Sequence, residues 1–243
     1  MLGRSINEVE VKLEVGYLPE SPFFYEYLTA GEFLKFYGQL FGLSGIELKK
    51  RVEALLELVS MTHARNLPLR KFSKGMLQRV GIAQALINDP KLVILDEPMS
   101  GLDPIGRRDV RDIILRLKND GKTIFFSSHI LPDVEMICDR IAILVKGQLR
   151  AVGAVQDLVG TASVTSVEII AESIPPKADS EFKHMGAAVV RRGCQALIEL
   201  NDQRRTDDVL DLVRRHRGRI VSLVPHKRSL EDIFLEQTRG KKV

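Results

Sequence analysis

The stretch KLVILDEPMSGLDP, residues 91–104, limits the folds open to this chain more than any other. Lys91 to Leu95 is a short, largely apolar run, bounded by Asn88, Asp89 and Pro90 before it and by Asp96, Glu97 and Pro98 after it. That pattern predicts a strand buried on both faces, as in parallel sheets covered by crossover helices. Asp103 followed by Pro104 reads as a helix cap with proline in the first turn, where its missing N–H costs nothing. The helix runs to about Asn119 and is broken by Gly121. Thr123 to Phe126 then reads as a second buried strand, a short helix follows around Asp133 to Ile137, and Ile141 to Val145 is a further strand ending in a tight turn at Lys146 and Gly147. Strands alternating with helices at these lengths predict an α/β fold built on a parallel sheet.

Upstream, VGYLPESP reads as a loop, because Pro19 and Pro22 force extended or turn backbone. Two helices follow, each opened by a capping-box pattern: Thr29 with Glu32, and Ser44 with Glu47. In the second, Leu48, Val52, Leu55, Leu56 and Val59 share one face, which is therefore core. Ser73 precedes a third helix over about 74–87. Beyond about Gly160 the texture changes to short strand candidates, VTSVEII, AAVVRR, QALIEL and GRIVSLVP, with helices near Thr206 to Arg215 and Ser229 to Gln237. The expected organisation is a main domain over 1–160, with a helical subdomain at about 28–90, and a small α+β accessory domain over 161–243.

Composition sets aside other classes. Charged residues are 28% and hydrophobic residues 44%, the balance of a globular chain rather than a disordered one. The longest apolar stretches fall far short of the ~20 residues of a membrane-spanning helix. The N-terminus MLGRSINEVEVKLE has no apolar signal core, so the chain is expected to stay in the compartment where it is made. Cys138 and Cys194 lack metal or redox spacing and read as buried thiols in a reducing cytoplasm. Basic residues crowd the C-terminal part, yet Asp202, Asp207, Asp208, Asp211, Glu231 and Asp232 interleave with them. This predicts a solvated face and no nucleic-acid partner.

Three segments could carry chemistry. Asp96 and Glu97 stand at the C-terminal edge of a predicted parallel sheet, where α/β proteins bind ligands. One carboxylate there can hold Mg²⁺ while the next polarises a water for attack on a phosphate, although strand ends also carry such acids as caps and turn formers. Ser73 opens a helix whose N–H groups and dipole can face a phosphate, with Gly75 letting backbone come close; any serine-capped helix shows part of this. His129 follows the second strand, a place where a lone histidine is more often structural.

The order of these segments resembles an ABC ATPase. LVILDEPMSGLDP is similar to that family's Walker B motif and D-loop, and FSKGMLQRV, residues 72–80, stands where the family has its signature. Lys74 and Met76 replace the middle glycine and the glutamine of the commonest form, LSGGQ, while Ser73 and Gly75 remain. Glu20 in GYLPE occupies the place of the Q-loop glutamine, and SLEDIFLEQT, residues 229–238, resembles the end of the accessory domain in a drug- and antibiotic-export branch. The resemblance runs from about Leu2 to Gln237. It implies a P-loop NTPase-like fold, ATP and Mg²⁺ as ligands, Glu97 as general base, Asp96 on the metal, His129 as the switch histidine at the γ-phosphate, and Ser73, Gly75, Asp103 and Glu20 around nucleotide.

It further implies an ATP-hydrolysing subunit that couples to export through a separate permease, pairs with a second ATPase subunit as a homo- or heterodimer, and sits in the cytoplasm, peripheral to the inner face of the membrane. A phosphate-binding G-x-x-x-x-G-K-[ST] is expected to be missing with its strand. The Gly-Lys-Thr at Gly121 has Arg116 where the first glycine belongs and leads from helix into strand. The chain is thus expected to be truncated, with strand edges left open at 123–126 and 141–145. The alternative is a non-catalytic fragment whose signature completes a partner's ATP site.

Overall fold

Strands β1 (Val15–Leu18), β2 (Leu92–Leu95) and β3 (Thr123–Phe126) form a parallel sheet with β2 in the middle, so that Leu18, Leu95 and Phe126 lie side by side at its C-terminal edge. The computed structural model describes residues 2–5, 7–160 and 164–239. Two units divide the chain, residues 1–137 and 138–243.

In the first unit α1 (Val9–Leu13) precedes β1, and α2 (Ala30–Leu40), α3 (Gly45–Leu58) and α4 (Lys74–Ala85) lie between β1 and β2. After β2 come α5 (Pro104–Asn119), β3 and α6 (Leu131–Ile137). Leu18, Phe33, Leu34, Leu56, Val80, Val93, Leu95 and Ile114 join these elements in one core and are almost wholly withdrawn from water. Each such side chain contributes about 1.5–3 kcal/mol by leaving water. The α2 start shows the predicted capping box: Thr29 Oγ1 accepts from the Glu32 N–H at 3.2 Å, and Glu32 Oε2 accepts from the Thr29 N–H at 2.9 Å.

Three expectations need correction here. Ser44 makes no capping hydrogen bond, because Gly45 takes a left-handed φ of +56° and turns the chain away from the geometry a capping box needs. VGYL is strand β1 rather than loop. Its glycine is the reason: a Cβ on Gly16 would fall on the carbonyl oxygen of Ala85, so only glycine lets β1 lie this close to α4. β3 is not buried on both faces, since Ile124 and Phe126 pack against the core while Phe125 remains 64% exposed. Among the described residues β3 pairs with β2 alone, which leaves it an edge strand.

The second unit opens with the antiparallel hairpin β4 (Arg140–Val145) and β5 (Gln148–Ala154), turned by Lys146 and Gly147 at φ +52° and +75°. Positive φ at both turn positions matches the twist of a two-residue hairpin. After α7 (Val155–Val159) come β6 (Val164–Glu172), α8 (Asp179–His184), β7 (Ala187–Arg192), β8 (Gln195–Leu200), α9 (Thr206–Arg215), β9 (Arg219–Lys227) and α10 (Leu230–Arg239). The last four strands make an antiparallel sheet of order β7-β8-β6-β9. Ile169, Ala196 and Ile198 of the sheet pack with Phe182 of α8 and with Val209, Leu212 and Val213 of α9. Cys138 is half-buried and Cys194 exposed, against the expectation of buried thiols: Cys194 and Gly193, at φ +61°, form the two-residue turn between β7 and β8.

Candidate functional site at the sheet edge

The parallel register delivers four side chains to one place. Asp96 follows β2 and its N–H donates to the Leu18 carbonyl at 2.8 Å, which ties it to the end of β1. On the other side the Ser127 N–H donates to the Leu95 carbonyl at 3.1 Å, which ties the end of β3 to β2. Ser127 Oγ then donates to Asp96 Oδ1 at 2.6 Å and accepts from the Glu97 N–H at 2.9 Å. One hydroxyl thus fixes both acidic residues. Ser127 did not stand out in the sequence, because its role depends on a neighbouring strand and it sits 31 residues from Asp96.

Glu97 holds a left-handed φ of +46°, a region where a side chain with a Cβ is strained by about 1–2 kcal/mol. The Ser100 N–H donates to its carbonyl at 3.1 Å and closes the turn that imposes this conformation. The outcome is a carboxylate aimed at His129, with Nδ1 2.9 Å from Glu97 Oε2; the His129 side chain is 69% exposed and that of Glu97 20%. An ionised carboxylate only accepts, so Nδ1 is the donor, and Nε2 carries a second proton only in the charged imidazolium.

The signature residues lie at the start of α4. Ser73 caps it by accepting from the Met76 N–H at 3.3 Å. A Cβ on Gly75 would meet only Leu102 Cδ2, at 3.9 Å, so packing within this chain does not require a glycine there. Asp103 caps α5, its Oδ1 accepting from the Gly106 N–H at 2.7 Å. Glu20 is exposed on the loop after β1 and borders a cleft with Lys74, Gln78 and Ser100. Asp96, Glu97 and His129 are therefore brought into one hydrogen-bonded group with Ser127, whereas Ser73, Gly75, Asp103 and Glu20 stand outside it. The Gly-Lys-Thr at Gly121 occupies the turn between α5 and β3, with Lys122 Nζ donating to Asp89 Oδ1 and to the Pro90 carbonyl, each at 2.9 Å.

Oxygen donors dominate this edge, the chemistry Mg²⁺ prefers. No group of three or more His, Cys, Asp or Glu among the described residues could hold a metal ion. Mg²⁺ commonly takes one or two carboxylates and fills the rest of its shell from phosphate oxygens and water, and Asp96 offers one such carboxylate.

The family model described as ABC transporter matches residues 2–100, which include Glu20, Ser73, Gly75, Asp96 and Glu97. An uncharacterized ABC transporter ATP-binding protein of Synechocystis sp. is 43% identical over 244 residues, covering 99% of this chain and 67% of that protein. The linearmycin resistance ATP-binding protein LnrL of Bacillus subtilis is 38% identical over 149 residues, 61% of this chain and 48% of that protein. A solved structure described as the ATP binding subunit of an ABC transporter aligns with a TM-score of 0.57 at 33% identity, covering 65% of this chain and 67% of that one.

Proposed function

This chain belongs to the family of ABC transporter ATP-binding proteins, and on that premise we propose that it couples ATP hydrolysis to export through a separate membrane permease. The observation that carries the catalytic part is the convergence of Asp96, Glu97 and His129 around Ser127 at one sheet edge. Glu97 is the general base that takes a proton from the attacking water, and His129 orients its carboxylate. Asp96 would hold Mg²⁺, which supplies charge neutralisation at the phosphates when bound. Ser73 and Gly75 serve the nucleotide of a second ATPase subunit, homo- or heteromeric; a glycine at 75 that packing within the chain does not require, with Leu102 Cδ2 3.9 Å from where a Cβ would stand, supports close approach of a ligand from outside the chain. Asp103 belongs to the loop that communicates between subunits, and Glu20 lies on the loop that senses nucleotide.

A permease partner is supported by exposed apolar side chains in the segment between β1 and α3, where Phe23, Tyr27 and Leu40 are 78%, 72% and 67% exposed. No described helix is long and apolar enough to cross a membrane, which suits a peripheral subunit at the inner face. Export is supported by the likeness to the linearmycin resistance protein. Turnover of ATP by the complex with its permease tests the assignment: Glu97→Gln lowers it by about 10²-fold or more, and undiminished turnover removes Glu97 from the role of base. The second reading, a chain that only completes a partner's ATP site, draws on Lys122, whose ammonium is engaged by Asp89 and Pro90 rather than standing free for a phosphate. Under that reading Glu97→Gln leaves turnover unchanged while Ser73→Ala lowers it.

A further inference from the structure

Two of the motif departures in this chain face the same space. Glu20, on the loop after β1, and Lys74, the first residue of α4, both border a cleft of about 200 Å³ whose wall includes Gln78 and Ser100. Their charges are opposite. Both residues are exposed, and among the described residues neither side chain makes an ion pair or hydrogen bond. The Lys74 stem lies over Gly101, where an added Cβ would fall on its ammonium, so the side chain also spans from α4 to the loop ahead of α5. Gln78 is 6% exposed and, among the described residues, its Nε2 has no hydrogen-bond partner. A buried donor left without an acceptor is costly, so this cleft gains from a rearrangement that supplies one.

We propose that Glu20 and Lys74 close on each other across the cleft as an ion pair, with Gln78 Nε2 donating to the same carboxylate. An outside anion is a poorer occupant, because the Glu20 carboxylate on the wall repels it. The consequence concerns position. The Leu18 carbonyl, two residues before Glu20, accepts from the Asp96 N–H, while Lys74 directly follows Ser73. The closed pair therefore sets the spacing between the Ser73 hydroxyl and the Asp96–Glu97 edge, which makes Glu20 and Lys74 positioning residues. This inference goes beyond the proposed function: it involves one chain only and stands or falls without nucleotide.

Hydrogen exchange of the 243-residue protein without nucleotide tests it, read at the amides of Glu20, Ser21, Phe23 and Phe24, with residues 92–95 of β2 as the control for global folding. Glu20→Gln and Lys74→Gln should each speed exchange of the loop roughly two- to five-fold, the range an exposed ion pair confers. The double variant should exceed neither single one. Glu20→Lys combined with Lys74→Glu should restore the wild-type rate, and NaCl near 1 M should reproduce the single variants. The proposal is overturned if the single variants exchange like wild type, which would leave the Lys74 charge for bound phosphates, or if the charge swap exchanges as fast as they do.

Discussion

At the scale of single residues, the left-handed backbone of Glu97 couples stability to the proposed chemistry. Its φ of +46° suits glycine far better than a residue with a Cβ, and among the described residues its carboxylate pairs only with the largely exposed His129. Glu97→Gly should therefore stabilise the protein by about 0.5–1 kcal/mol through relief of strain, seen as a higher urea midpoint at unchanged slope. A lower midpoint would mean that the turn around Glu97 is not strained. The same substitution removes the proposed base, so the residue that costs stability is the one the site uses. The adjacency of Asp96 and Glu97 was legible because both follow one strand in sequence. The hydroxyl that holds them was not, because register across to β3 brings Ser127 there.

At the scale of elements, two serines that look alike in sequence behave differently. Ser73 accepts from the Met76 N–H, whereas Ser44 bonds to no amide at the start of α3. Ser73→Ala should cost about 1 kcal/mol and lower the urea midpoint, while Ser44→Ala should change it by only a few tenths. Equal losses would show that Ser44 caps α3 after all. A serine ahead of each predicted helix gave both the expectation of a cap, and Ser44 with Glu47 carried the capping-box spacing besides, yet it is Ser44, followed by the left-handed Gly45, that does not cap. Most other elements were legible from periodicity: β2, β3, β4 and the four strands of the second sheet lie within a residue or two of their expected limits. β1 was hidden because a four-residue strand ahead of two prolines, with a glycine inside it, carries more loop signals than strand signals. Its glycine answers to a neighbour, the carbonyl of Ala85, that no local pattern announces. The exposure of Phe125 was hidden for a similar reason, since an apolar run alone does not tell an edge strand from a central one.

At the scale of the whole molecule, paired carboxylates set the response to acid. Lys122 beside Asp89 and Arg191 beside Asp179 hold those carboxyls below their ordinary 3.8. Glu14 is held below its ordinary 4.5 first by Lys91 and then by Arg4, and Glu172 first by Gln195 and then by Arg219. Backbone N–H groups lower Glu32, Asp202 and Asp232, from Thr29, Arg204 and Ser229 in turn. Each of these groups gives up its proton more readily folded than unfolded, so on acidification the unfolded chain binds protons first. Their contribution is fully present above the unfolded values and is lost as pH falls through the lower folded ones. Unfolding free energy from urea titrations should accordingly decline from about pH 4.5 downward, and these carboxylates should contribute no slope between about pH 6 and 8. The acid limb should also be shallower in about 1 M NaCl, because salt screens the exposed lysine and arginine partners and brings folded and unfolded values together. Stability that rose between pH 4.5 and 3 would contradict the whole set, since it would require carboxylates that hold protons more tightly in the folded chain.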